Sequence, residues 1–238
     1  MARGTTLDKL LFDLRVACRL SINASHNVQY RDAQVQALQR KQEFYWDDFA
    51  WPHLRVDRYL QTQAGQRYYD LPNDLDVTRI SHVQFRADSV DGYVYPGIDN
   101  VHYAAFDSDL GVRSWPVQRW QLTENEMIEL WPIPNVNYNP DSLEGRLKVT
   151  GIRKLKPLVS ESDRADLDDQ LLIQSCAADY LGAQGAKDAQ LKLDQVNRYY
   201  AKLRGQLMPR RKFTIGQDPN YSDRRIVKVP IAVFNKTS

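Results

Sequence analysis

YWDDFAWPHLRVDRYLQTQAGQRYYDLPNDL, residues 45–75, is where the chain changes character. Upstream the sequence reads as helix. Downstream it reads as strands and turns, and then as helix again. The stretch opens with Tyr45, Trp46, Phe49 and Trp51, and Pro52 follows. Proline has no amide hydrogen and pushes the residue before it out of helical geometry, so a helix that reaches Phe49 stops near Trp51. The aromatics then form an apolar plug between two parts of the fold. Beyond the plug Leu54, Val56, Arg58 and Leu60 alternate with Arg55, Asp57, Tyr59 and Gln61, the period of a strand. Ala64-Gly65 supplies a turn. Residues 66–71 return as the second strand of a predicted hairpin, which Pro72 ends.

Upstream, Thr5 or Thr6 caps a first helix and Asp8 lies in its first turn. Leu7, Leu10, Leu11, Leu14 and Cys18 fall on one face, and the helix is predicted to end near Leu20. A second helix runs from about residue 27 to 49 with a sparse apolar stripe, Val28, Val35, Leu38 and Phe49. Its polar remainder is either a solvated face or a surface packed on a neighbouring copy. Downstream, short strands fill residues 54–152. Residues 98–106 read as a short helix or a crossing loop. Segments 115–122 and 127–132 flank Thr123, Glu124, Asn125 and Glu126, a hairpin loop. Residues 145–154 make a last strand with Leu147 and Val149 inward.

Residues 158–169 open the second helical half, with Ser160, Ser162 and Asp163 as caps and Asp166, Asp168 and Asp169 in the first turns. Leu167, Leu171, Leu172, Cys176, Ala177, Tyr180 and Leu181 form its apolar face. Gly185 breaks it, and a further helix runs from 187 to about 207. The first and last segments must meet, because neither pair has enough apolar surface alone. The predicted class is α+β: an antiparallel helix bundle of N- and C-terminal helix pairs, an inserted small β-sandwich or barrel, and an extended C-terminal arm. The predicted parts are residues 1–52 and 157–208 (helical), 53–156 (β) and 209–238 (arm).

The chain of 238 residues is 26% charged and 42% hydrophobic, an ordinary soluble composition. No apolar run approaches the roughly 18 residues a membrane span needs, and the first ten residues lack a signal-peptide core. Neither a membrane partner nor signal-directed export is expected. Cys18 and Cys176 sit on apolar helix faces and read as buried thiols. The net charge is +2, but residues 209–238 carry seven basic and two acidic side chains, +5, which leaves −3 for the rest. The basic groups include Arg210, Arg211 and Lys212. Ile226, Val227, Val229, Ile231, Val233 and Phe234 then give an apolar, strand-like end. This segment either folds back onto its own β-domain or pairs with another subunit.

Motifs for chemistry are missing. There is no Gly-rich phosphate loop, Gly-x-Ser-x-Gly or His-Glu-x-x-His. The four histidines, His26, His53, His82 and His102, are scattered and read as surface or capping residues. Asp47-Asp48 and the Asp166, Asp168, Asp169 cluster read as solvated helix ends. No catalytic, cofactor or metal site is expected, and no enzyme activity. Trp115, Trp120 and Trp131 read as core or interface, with sugar stacking as the alternative.

A helix ending in an aromatic run, then a turn and strand reading Gly65, Tyr69, Leu71, Pro72, Asp74, resembles the head-to-tail adaptor proteins of tailed bacteriophages, also called head-completion or tail tubular A-like proteins. The order helix pair, β insertion, helix pair, arm extends the resemblance to nearly the whole chain. It implies a homo-oligomeric ring, usually of twelve copies, beneath the portal protein. It also implies a virion neck protein made in the host bacterial cytoplasm, through whose channel DNA passes without specific binding. Carried onto this chain, Arg210 to Lys212 and the apolar positions 226–234 become candidates for portal contact. The turns Gln63, Ala64, Gly65, Gln66 and Thr123 to Glu126 become candidates for contact with a tail tube or nozzle protein. Two other readings compete: a carbohydrate- or receptor-binding tail component, and an accessory protein that binds DNA through its basic tail.

Overall fold

A computed structural model of the chain describes residues 3–23, 26, 29–106 and 110–208. Within these residues the fold is α+β, with five α-helices and a curled seven-stranded sheet. Helix α1, Leu7–Ala17, buries Leu7, Leu10, Leu11 and Leu14, the face its spacing predicts. It ends before Leu20 because Arg19 takes a left-handed φ of 59°. The Leu20 amide then reaches back to the Arg15 carbonyl and the Arg19 amide to that of Val16, a Schellman closure with arginine where glycine is usual. Helix α2, Arg31–Asp48, starts later than predicted and buries only Leu38, Gln42 and Tyr45. Trp51 is extended, as the following proline demands, and Pro52–Leu54 form one 3-10 turn.

The sheet holds β1 Arg55–Gln61, β2 Tyr68–Asp70, β3 Leu75–Ala87, β4 Val90–Pro96, β5 Arg119–Leu122, β6 Met127–Trp131 and β7 Arg146–Arg153. Helix α3, Asn100–Ala105, follows β4. The strand order is β1-β7-β3-β4-β5-β6-β2, antiparallel except between β4 and β5. The predicted β1–β2 hairpin is absent: β1 and β2 are the two opposite edges. Strand β7 takes the place beside β1, since Leu147 and Val149 fill the same inner side as Val56 and Leu60. The linking residues are pinned elsewhere. Thr62 donates its amide to the Gly145 carbonyl at 3.0 Å, and Gly65 donates to Pro134 at 2.8 Å. Gly65 has φ 86°, and the Arg113 guanidinium fills the space a side chain would need.

The uneven alternation in β3 is a bulge. Ile80 pairs with Gly151 and His82 with Thr150, so two steps on β3 match one on β7. Ile80 therefore turns inward while His82 faces out. Gly92 on β4 is a second required glycine, since a Cβ there would penetrate the Phe85 ring.

The second helical half begins later than predicted. Residues 158–168 form a strap across α1: Leu7 and Asp8 donate to the carbonyls of Asp163 and Glu161. Helix α4, Asp169–Ala183, follows, with the Asp168 carboxylate accepting from the Leu171 amide at 3.0 Å. Gly185, φ 67°, closes it, and α5, Ala189–Leu207, packs back through Val196 and Leu203. The first and last helices share one core with Trp51 and Leu54. A second core lies on the inner side of the sheet around Val83, Ile128, Leu147 and Val149.

Trp51 is fully buried, and its Nε1–H donates to the Tyr45 carbonyl at 2.8 Å. Trp51→Ala leaves a large cavity and an unpaired carbonyl. The expected loss is about 3–5 kcal/mol in urea unfolding, carried by a lower midpoint rather than a changed slope.

Candidate interaction surfaces

Two predicted turns survive as turns but not as one surface. Thr123–Glu126 closes the β5–β6 hairpin, with the Thr123 amide donating to Met127 at 2.9 Å and Glu126 at φ 58°. Residues 63–66 link opposite sheet edges. The register sets Tyr68 opposite Glu129 and Asp70 opposite Met127, so the two turns lie at opposite ends of the β2–β6 ladder. Glu126 and Asn125 border a hollow with Asp70, Pro72 and Lys154. The 63–66 turn instead sits with Gly145 at the other end. The arm candidates, Arg210, Arg211, Lys212, Ile226, Val227, Val229, Ile231, Val233 and Phe234, lie outside the described residues.

Helix α2 offers α1 only a thin apolar stripe, and a gap remains beside it. The gap is an apolar groove of about 420 Å³ between Leu14, Cys18, Leu20, Tyr30, Ala37 and Tyr180. It continues past Cys176 into a hollow that reaches Phe44, with the Lys41–Asp179 ion pair of 2.6 Å at its rim. Tyr30 and Phe44 stand largely exposed beside it, at 62% and 61%. Burial pushes the Cys18 thiol up to about 11 and that of Cys176 up to about 12.

A polar cluster under α3 is invisible to motif reading. Glu129 lies in mid-strand on β6, yet it is 3% exposed. Its carboxylate accepts from Arg67 Nε at 2.7 Å, the Tyr103 hydroxyl at 2.9 Å and the Gln121 amide at 2.8 Å. The Arg67 guanidinium lies 5.0–5.3 Å from the ring centres of Trp131, Tyr103 and Tyr68. The ion pair thus clamps α3 onto the sheet and joins β2 to β6. The only sequence signal was an acid flanked by Ile128 and Leu130.

The remaining candidates have structural work. Asp166 pairs with Arg153 and takes the Lys156 amide at 2.8 Å. Asp168 accepts from the Tyr199 hydroxyl at 3.1 Å, and Asp169 from Thr5, with burial pushing the Asp169 carboxyl up. These are buried partners, not the solvated helix ends expected. Asp48 accepts from Tyr200, and Asp47 from Arg79. His102 forms a capping box with Asp99, and His53 meets the Asp166 carbonyl at 2.8 Å. The sugar-stacking alternative loses its platforms, since Trp120 and Trp131 are 8% and 3% exposed and Trp115 packs edge-on to Phe85.

The chain belongs to the phage head-tail adaptor family described as SU10 adaptor protein, whose model matches residues 11–225. It is a structural component of the bacteriophage virion, acting with other head and tail proteins. None of the curated proteins compared with it matches the chain. Among the described residues no helix is long and apolar enough to cross a membrane.

Two outcomes follow from this geometry. Arg67→Ala strands a buried carboxylate and lowers stability by about 3 kcal/mol in chemical unfolding. Near pH 8 both thiols resist a disulfide reagent in the native protein. The two-unit rise at Cys18 leaves about a hundredth of the ordinary thiolate, so it reacts about a hundredfold more slowly than in the unfolded chain.

Proposed function

We propose that the chain is a head-to-tail adaptor that assembles as a homo-oligomeric ring on the portal vertex after DNA packaging and continues the DNA channel into the tail. The observation that carries this reading is the extent of the family match. It runs through both helical segments and the sheet and into the C-terminal residues. In this reading residues 1–52 and 157–208 act as one helical body, 53–156 as the β-domain, and 209–238 as an arm that contacts the portal protein. The role is structural and needs no cofactor.

The groove between α1, α2 and α4 supports assembly with a neighbouring copy. An exposed apolar hollow with aromatic sides loses its contact with water when a second subunit covers it. The turn at 63–66, at the end of β1 away from the helices, is the tail-facing candidate for a tube or nozzle protein. The Thr123–Glu126 turn, at the other end of the β2–β6 ladder, is the second tail-facing candidate. DNA passes through the channel without sequence-specific binding.

Light scattering on the purified protein, alone and mixed with portal rings, tests the proposal. The full chain is expected to be a small species alone and to join portal rings. A chain cut after Met208 is expected to stay behind. Equal attachment by the shortened chain would remove the arm from the portal contact.

A further inference from the structure

We propose that the open half of the outer sheet face binds the phosphate backbone of duplex DNA, independently of sequence. Cross-strand partners share one side of a sheet. On the side away from the inner core, Tyr59 pairs with Lys148, Lys148 with Gln84, and Gln84 with Tyr93. One rung further along, Arg146 lies opposite Gln61 and Arg86, and Arg86 opposite Asp91. In the other direction Asp57 pairs with Thr150, and Arg119 extends the face beside Tyr95. Among the described residues helix α3 covers the part over β6 through Tyr103 and Trp131 and leaves these rungs open.

The face is positively charged in a body that is not. Arg55, Arg86, Arg119, Arg146 and Lys148 stand against Asp57 and Asp91. Lys148 pairs with Asp57 at 2.9 Å and Arg86 with Asp91 at 3.3 Å. Among the described residues Arg55, Arg119 and Arg146 make no ion pair. Three cations without an ion pair thus stand on one face, spaced across it, while residues 1–208 together carry −3. Polyanions are attracted to such a segregated patch, whatever the net charge.

Tyrosines lie beside two of these three guanidinium groups, and the third, Arg55, meets His82 Nδ1 at 3.5 Å. Arg146 lies 4.8 Å from the Tyr59 ring centre and Arg119 5.5 Å from that of Tyr95. A guanidinium laid on a ring has less freedom to lose and keeps its N–H edge free for a phosphate. The arginines lie over two of the rings and the third, Tyr93, meets His82 edge-on, an arrangement that suits a phosphate backbone better than splayed bases. At the helical end of the face a polar hollow is lined by Arg55, His82, Lys148 and Thr150 and also by the Asp57 carboxylate. Lys148 and Thr150 already hold that carboxylate, so the phosphate contacts fall to Arg55 at the edge of the hollow and to the rungs beyond. An acidic protein is the rival occupant. The exposed aromatics of the rungs, Tyr59, Tyr93 and Tyr95, are interleaved with charged and amide side chains rather than gathered into one apolar centre. Contacts of this kind are weak and salt-sensitive and let DNA slide.

The test is fluorescence anisotropy of a labelled random-sequence duplex of roughly 30 bp with the full chain, across about 50–200 mM salt. The triple variant Arg55→Gln, Arg119→Gln, Arg146→Gln is expected to shallow the salt slope by about three. The contribution lost is about 40-fold in affinity over that range. Arg210→Gln, Arg211→Gln, Lys212→Gln serves as the reference for the arm. Tyr59→Ala with Tyr95→Ala is expected to weaken binding and leave the slope alone. Unchanged melting temperatures establish that the variants fold. A wild-type chain that does not bind the duplex, or a triple variant with the wild-type slope, overturns the proposal. So does tighter binding of a single strand lost on Tyr93→Ala, which would make the face a base-stacking surface. Loss of attachment to purified tails with DNA binding intact would instead make it a protein dock. Portal attachment is read separately, so failure here leaves the adaptor reading standing.

Discussion

The Trp46 indole, held between two arginines from different strands, is the contact on which the two halves of the fold depend. Its ring lies 4.1 Å from the Arg79 guanidinium, and its Nε1–H donates to the Arg153 carbonyl at 3.2 Å. Arg79 in turn donates to the carbonyls of Trp46 and Asp47, the acceptors that the end of α2 leaves open. Arg153 pairs with Asp166, whose amide donates to the buried Gln42 of α2 at 3.0 Å. One cluster therefore ties α2, β3, β7 and the strap before α4. Half-buried, multiply bonded arginines of this kind fix geometry more than they add net stability, because removing one partner leaves the others unpaired.

The topology explains why that tie is needed. Strand β7 lies just inside the β1 edge, with β1 on one side and β3 on the other, and its last buried residue, Ile152, belongs to the helical core. The helical core is built from segments at both ends of the chain, and α4 lies between α1, α2 and α5. A displaced strand end would therefore shift the strap and then α4. The helical groove and the far turns of the sheet are held in fixed relation through this junction.

Local signals made much of this legible. The α1 face, the proline stop at 52, the glycine stop at Gly185, the Thr123–Glu126 hairpin and the buried cysteines each follow from short-range periodicity or backbone sterics. What stayed hidden was decided at long range. Ala64-Gly65 has the residues of a hairpin turn, but the partner of β1 was chosen by the burial of β7 some ninety residues on. Glu129 is buried under α3, and nothing near it in sequence announces Arg67 or Tyr103. The bulge at 80–82 reverses the side of His82, and through it the composition of the outer face. Of the candidate site, the turns could be placed and the arm positions lie outside the described residues. The groove was foreshadowed only by the polarity of α2.

A cryo-electron microscopy reconstruction of the protein bound to its portal tests the central claim most directly. The account predicts a closed ring of copies on the portal, with each helical groove covered by a neighbour and the 63–66 turns pointing away from the portal. A single copy on the portal, or a ring with the grooves open to solvent and the 63–66 turns against the portal, would contradict it.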